Sequence, residues 1–308
     1  VETLLQGFLQ YVINSLQWGS FYALIAVGYT LVYGVLLLIN FAHGDIFMVG
    51  AYIAFFVSSM LIAELSGFAS GWMLVAMAVP LTMLLTACVG VTLERVAYRP
   101  LRKKGAHRLY VVITALMCGL ILENGNLALL GASRKKFPEM VDTVVLNIGG
   151  ASITNLKLMV IFAAIGVFLF LHWIVTKTKL GMAMRAVSFD KFAVPLMGIP
   201  LNTVIVFTFI LGSGFAGLAG MLFAMSYPIL EPYMGALIGW KAFIAAVVGG
   251  IGDIRGAFIG GFLLAFIEIG VASVLPSSFR DLFAFSILLV ILWMKPTGLF
   301  GIAKTTKI

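Results

Sequence analysis

TKTKLGMAMRAVSFDKFAVPLMGIPLNT, Thr176–Thr203, is a polar, mildly amphipathic interruption between two long apolar runs. Lys177, Lys179, Arg185 and Lys191 give it positive charge, and positive loops between membrane spans stay on the cytoplasmic side. The flanking runs therefore read as spans and the stretch itself as an inside loop. Within it, Gly181 can end the preceding helix, Met182 to Phe192 can form a short helix, and Gly198 with Pro200 can stop that helix before the next span. A short helix held between two spans can act as a handle for a cytosolic partner. The plainer alternative is a solvated connector.

Composition extends this reading to the whole chain. Of the 308 residues 62% are hydrophobic and 10% charged, with a mean hydropathy of +1.12. No water-soluble core needs that much apolar sequence, so the fold class is an all-α, polytopic membrane protein. The net charge of +8 does not point to nucleic acid, because the basic residues sit in short clusters between apolar runs, where they orient spans. Cys88 and Cys118 lie inside apolar segments with no disulfide or metal spacing. The N-terminal VETLLQGFLQ has neither a basic region nor a small-residue cleavage site, which predicts a retained first span.

Taken in order, the apolar runs predict about nine membrane segments of roughly 20 residues, at 11–39, 45–63, 72–94, 109–131, 157–176, 203–225, 234–250, 255–274 and 282–295. The first is long enough to tilt, break or hold two pieces. Together they predict a single transmembrane domain over 1–308, eight to nine spans with broken helices among them. Arg95, Arg99, Arg102, Lys103, Lys104 and Arg108 fix one inside loop, and 177–202 fixes another. The C-terminal Lys295, Lys304 and Lys307 also fall inside, which leaves the N-terminus outside. Arg134, Lys135 and Lys136 are the exception, in an outside loop over 132–157 long enough to hold a small hairpin.

Two interruptions put glycine and ionisable groups between apolar runs: Asn40-Phe41-Ala42-His43-Gly44-Asp45, and Gly249 to Gly256 with Gly260 and Gly261 beyond it. Irregular backbone at membrane depth survives only packed in protein or lining a wet cavity. Both breaks therefore point to a route through the bilayer, or else to short cytoplasmic turns. Gly252, Gly256 and Gly260 recur every four residues, as do Gly212, Ala216 and Gly220, and such stripes let helix backbones approach. Ionisable residues within spans are costly and are candidates for function. These are Glu123 with Asn124 and Asn126, Lys241, and Glu268, the last two able to pair or to line a polar route.

Enzyme signatures do not occur. The chain has no G-x-x-x-x-G-K-[ST] for ATP and no G-x-S-x-G, and His43, His107 and His172 are scattered. From the residues alone the chain is a transport subunit whose energy source is open, a proton-driven carrier using Glu123, Glu268 and Asp45 being the alternative.

Four strings add a resemblance: GSFYALIAVGYTLVYGVLLLINFAHGDIFMVGAY (Gly19–Tyr52), LERVAYRPLR (Leu93–Arg102), GWKAFIAAVVGGIGDIRGAFIGG (Gly239–Gly261) and KPTGLFG (Lys295–Gly301). In this order they resemble the LivH-type permease subunit of branched-chain amino-acid ABC importers. The resemblance implies the ABC importer permease fold, residence in the bacterial inner membrane, and translocation of leucine, isoleucine and valine. It also implies a LivM-type second permease, two ATPase subunits that bind the ATP, and a periplasmic substrate-binding protein. The chain itself then needs no cofactor and no metal. Related machinery carries urea, short amides or other amino acids. The 177–202 loop becomes the coupling segment: Arg185, Ala186, Asp190, Gly198 and Ile199 agree with the family pattern, whereas Phe189 replaces an acid and Pro195 is added, so that the helix is expected to end near Val194. Asn40, His43, Lys241 and Glu268 are the expected lining of the route.

Overall fold

A computed structural model describes residues 2–148 and 150–301; Lys304 and Lys307 of the expectations above, and Gly149 within the expected outside loop, lie outside the described residues. The chain opens with α1 (Glu2–Leu36), one unbroken helix of 35 residues, about 52 Å long and so longer than the roughly 30 Å hydrocarbon layer. α2 (His43–Leu65) and α3 (Gly71–Leu93) follow, and α3 runs through a π-helical turn (Glu94–Tyr98) into α4 (Arg99–Lys103). Next come α5 (Arg108–Leu130), the strands β1 (Lys135–Lys136), β2 (Val145–Ile148) and β3 (Ala151–Thr154), and α6 (Asn155–Lys177). α7 (Lys179–Phe189), α8 (Ala193–Leu196), α9 (Leu201–Ser226), β4 (Ile229–Leu230), α10 (Met234–Gly249), α11 (Ile254–Val274) and α12 (Phe279–Met294) complete it.

All nine predicted segments are helices. Among the described residues, seven are long and apolar enough to cross a membrane. α10 and α12, at 16 residues each, reach only about 24 Å, as expected of helices broken within a bundle. The loops sort to two ends. One end gathers the turn after α3, the α6–α9 connection, the α10–α11 turn and the segment after α12, with the basic residues of each. The opposite end holds the hairpin β2–β3 and the antiparallel pair β1–β4. There Arg134 meets Glu231 at 2.7 Å and Lys136 meets Glu139 at 2.9 Å, so local acids offset the cluster that breaks the charge pattern.

α1 is the axis of the bundle. Of its apolar window 89% is buried, against 22% for α5 and 28% for α6, and it packs chiefly on α11 and α9. Small residues permit this: a side chain at Gly261 would meet the Ala23 backbone, and one at Gly19 would meet Phe262. Trp18, Phe21, Phe223 and Tyr227 close the α1–α9 contact with ring centroids 5.1 to 6.2 Å apart. The two glycine stripes pack helices of this chain together. Gly220 lies on the α2 backbone at Phe47 and Ala51, and Gly256 and Gly260 lie on Gly249 and Ala245 of α10.

Three expectations need correction. Gly181 does not end α6; Thr178 does, with extended backbone, and its hydroxyl accepts from the Gly181 amide at 3.1 Å to start α7. The short helix accordingly runs Lys179–Phe189 instead of Met182–Phe192, and Pro195 lies in a separate turn, α8, where its missing N–H breaks no longer helix. Gly252 is not part of the α11 stripe. With Gly250 it forms the turn at φ of +103° and +111°, left-handed backbone that glycine accepts without strain.

Candidate functional site

The break between α1 and α2 is built by Leu37, a non-glycine residue at φ of +56° whose amide still donates to Tyr33 O at 2.7 Å. The chain then folds back into the bundle before α2 begins. Gly44, in the first turn of α2, donates its amide to the Tyr29 hydroxyl at 3.2 Å, and Tyr29 lies about two turns short of the end of α1. α2 can start there because glycines face each other: a Cβ on Gly44 would sit 2.8 Å from Gly239 Cα and 2.6 Å from Gly235 O, both in α10. His43 is fully buried, its ring 4.7 Å from that of Tyr29 and against Gly28. Asn40 accepts a 2.6 Å hydrogen bond from the Tyr98 hydroxyl, which lies in the π-helical turn.

Beside this break a cleft of about 290 Å³ opens between α2, α5 and α10. Leu116 and Leu120 form its apolar wall, Tyr29, Phe41 and Trp240 its aromatic wall, and Asp45 and Glu123 are its two carboxylates. Asp45 is 8% exposed and its Oδ1 has no hydrogen-bond partner. The chemistry on offer is an apolar surface with two acceptors that could engage a cationic group.

The four residues expected to line a route do not form one group. Asn40 and His43 belong to the break. Lys241 and Glu268 pair with each other on another face, between α10 and α11, at 3.4 Å. Glu268 also accepts from the Tyr22 hydroxyl at 2.8 Å, and Lys241 reaches Asp281 of α12 at 2.6 Å. Asp45 and Glu123, which face the cleft, are not among those four, although both stand out in the sequence as ionisable groups in or beside apolar runs.

At the basic end α7 and α8 form an outstanding corner. Asp190 ends α7, its amide donating to Ala186 O at 3.0 Å, and its carboxylate then accepts from Phe192 N at 2.8 Å and Ala193 N at 3.1 Å. Gly198, at φ of +77°, turns the chain back, and Ile199 N reaches Val194 O at 3.3 Å. Arg185 lines a cavity of about 390 Å³ with His172 and the Gly252–Arg255 turn. Lys191 donates its ammonium to the carbonyl of Leu36, which ties the corner to the α1–α2 break.

The geometry is that of a multi-pass membrane protein with a broken span beside a cleft and an exposed corner at its basic end. Residues 11–292 match the family described as branched-chain amino acid transport system, permease component. The chain belongs to this permease family. The permease is 36% identical to the high-affinity branched-chain amino acid transport system permease protein BraD of Pseudomonas aeruginosa, and 35% identical to LivH of Escherichia coli K12. Each alignment covers 98% of both chains. A probable LivH of Methanocaldococcus jannaschii is 29% identical over 92% of the permease and 90% of that protein.

Proposed function

We propose that the permease carries branched-chain amino acids inward across the bacterial inner membrane, driven by ATP hydrolysis in two ATPase subunits bound at its basic, cytoplasmic end. In this reading a LivM-type second permease covers the α2–α5–α10 cleft, and a periplasmic binding protein delivers the solute to the opposite end. The permease needs no cofactor of its own. The observation that carries the reading is the α7–α8 corner: Phe189 is 95%, Phe192 91% and Leu196 89% exposed, large apolar side chains on a segment that also carries Lys179, Arg185 and Lys191. Large apolar side chains grouped on a charged protruding corner mark a protein contact.

The mechanism follows from the connections. Nucleotide binding draws the ATPase subunits together and displaces α7. Lys191 passes the displacement to Leu36, and so to the break that sets where α2 begins. Movement of α2 against α10 needs little side-chain interlocking, because Gly44, Gly235 and Gly239 meet backbone to backbone. The cleft then changes the side to which it opens, presenting apolar walls for an aliphatic side chain and the Asp45 and Glu123 carboxylates for an ammonium group. Weak binding here favours release, and affinity rests with the binding protein. Cysteines at Phe189 and Phe192, crosslinked in the assembled complex, are expected to capture an ATPase subunit, more strongly in one nucleotide state. Crosslinks that never reach an ATPase subunit, or uptake driven by a proton gradient without ATP, would overturn the proposal.

A further inference from the structure

A cavity of about 760 Å³ lies at the end opposite the basic loops. It is enclosed by the first half of α1, the start of α6, the ends of α9 and α11, the start of α12, and the 137–143 segment as a partial roof. Because α1 overreaches the hydrocarbon layer, this is the level of the lipid headgroups. The volume is within the range of ligand sites.

Its lining is positive on one side and aromatic on the other. Lys157 donates to the neutral amide oxygen of Asn14 at 2.8 Å and, among the described residues, has no carboxylate partner. Arg280 likewise makes no ion pair among the described residues, and its Nε is a buried donor without a hydrogen bond. Ser226 Oγ, on the same lining, is a second orphaned polar atom. The acid that lines the cavity, Glu139, is held by Lys136 at 2.9 Å, and this hydrogen bond keeps its carboxyl below the usual carboxylate range. Asp281, next to Arg280 in sequence, is held by Lys241. The cavity thus keeps two cations without an ion pair among the described residues, while its lining acid is paired with Lys136. Uncompensated charge and unpaired donors in a partly enclosed site are costly, and an oxyanion would satisfy them with charge-assisted bonds. Trp18, Tyr227, Phe137 and Met225 supply the apolar side.

We infer that this cavity is a binding site for a phosphate-type oxyanion, held between Lys157 and Arg280, with an adjoining apolar body against Trp18 and Tyr227. The group is supplied either by an anionic phospholipid of the surrounding leaflet or by free phosphate. It is separate from the cleft between α2, α5 and α10, and does not depend on the solute carried.

The test uses the assembled complex in phosphatidylcholine nanodiscs. Dibrominated phosphatidylglycerol is expected to quench the Trp18 fluorescence, read as wild type minus W18F, saturably and beyond an equal fraction of dibrominated phosphatidylcholine. In K157Q/R280Q the half-saturating fraction is expected to rise by about tenfold or more, as for the loss of two charge-assisted contacts. Quenching that inorganic phosphate does not reverse identifies the lipid as the source. Reversal by phosphate, with labelled phosphate retained in pure phosphatidylcholine discs, identifies the free ion. The inference is overturned if phosphatidylglycerol quenches no more than phosphatidylcholine and phosphate is not retained, or if K157Q/R280Q binds as wild type. Should the double variant fail to assemble, R280Q and the wild-type lipid comparison decide alone.

Discussion

Lys241 stands between two carboxylates of unequal exposure. Its contact with Asp281 is shorter, at 2.6 Å, but the Asp281 side chain is half exposed, whereas that of Glu268 is 4% exposed and depends on Lys241 and Tyr22. The two ends of the pair should therefore respond differently. Lys241→Met strands a buried carboxylate, a loss of about 3 kcal/mol by the behaviour of broken buried pairs. Glu268→Gln leaves Lys241 its partner on α12 and should lose far less. In thermal unfolding of the purified complex the expected order is wild type, Glu268→Gln, then Lys241→Met, with Lys241→Met/Glu268→Gln recovering most of the difference. A double variant less stable than Lys241→Met would show that the pair is not the source of the effect. Both residues were legible in the sequence as ionisable groups inside spans. That they hold four helices together was not, because the partner on α12 lies in the first turn of a helix, where an aspartate reads as an ordinary first-turn acid.

At the scale of elements, the nine helices were legible because apolar runs of this strength leave the backbone no other way to satisfy its hydrogen bonds in lipid. The joints were less so. Leu37 takes a left-handed conformation that no leucine advertises, and the α6–α7 joint falls at Thr178 because a hydroxyl cap there outweighs a glycine three residues on. The α7–α8 corner rests on Asp190, whose carboxylate holds two amides that would otherwise be orphaned. Asp190→Ala should cost about 1 kcal/mol of local order, and substrate-stimulated ATPase activity of the reconstituted complex should fall roughly fivefold. Asp190→Asn keeps an acceptor at the same place and should restore most of it. Equal impairment by the two substitutions would assign the role to the charge and set aside the cap.

For the whole molecule, burial is uneven in a way that orients the proposed assembly. α5 is the least buried of the long helices, and Glu123 projects from it into the cleft. An acid on a lipid-facing helix is costly, which supports this face as the one the proposed second permease covers. A cysteine at Leu120, 48% exposed on α5, is expected to crosslink to that subunit, whereas one at Phe162, 67% exposed on α6, should label with lipid-soluble reagents alone. The opposite pattern would place the partner on α6 and leave the cleft facing lipid. The sequence could not supply this, since half of the proposed site belongs to another chain.

The central place of α1 also bears on how the permease is made. Tyr22 and Glu268 are 246 residues apart, and at about 5–20 residues per second the ribosome needs on the order of ten seconds to a minute to go from one to the other. During that time the helix at the axis of the finished bundle is already in the bilayer without its main neighbour. Gly19 and the hydroxyls of Tyr11 and Tyr22, fitted to α11, face lipid or whatever insertion factor holds them. The last third of the chain therefore completes the centre of the molecule instead of its edge. A ribosome that stalls before Ile254 leaves a product with an open middle, and a cell that clears such products needs only to recognise an unsheathed first helix.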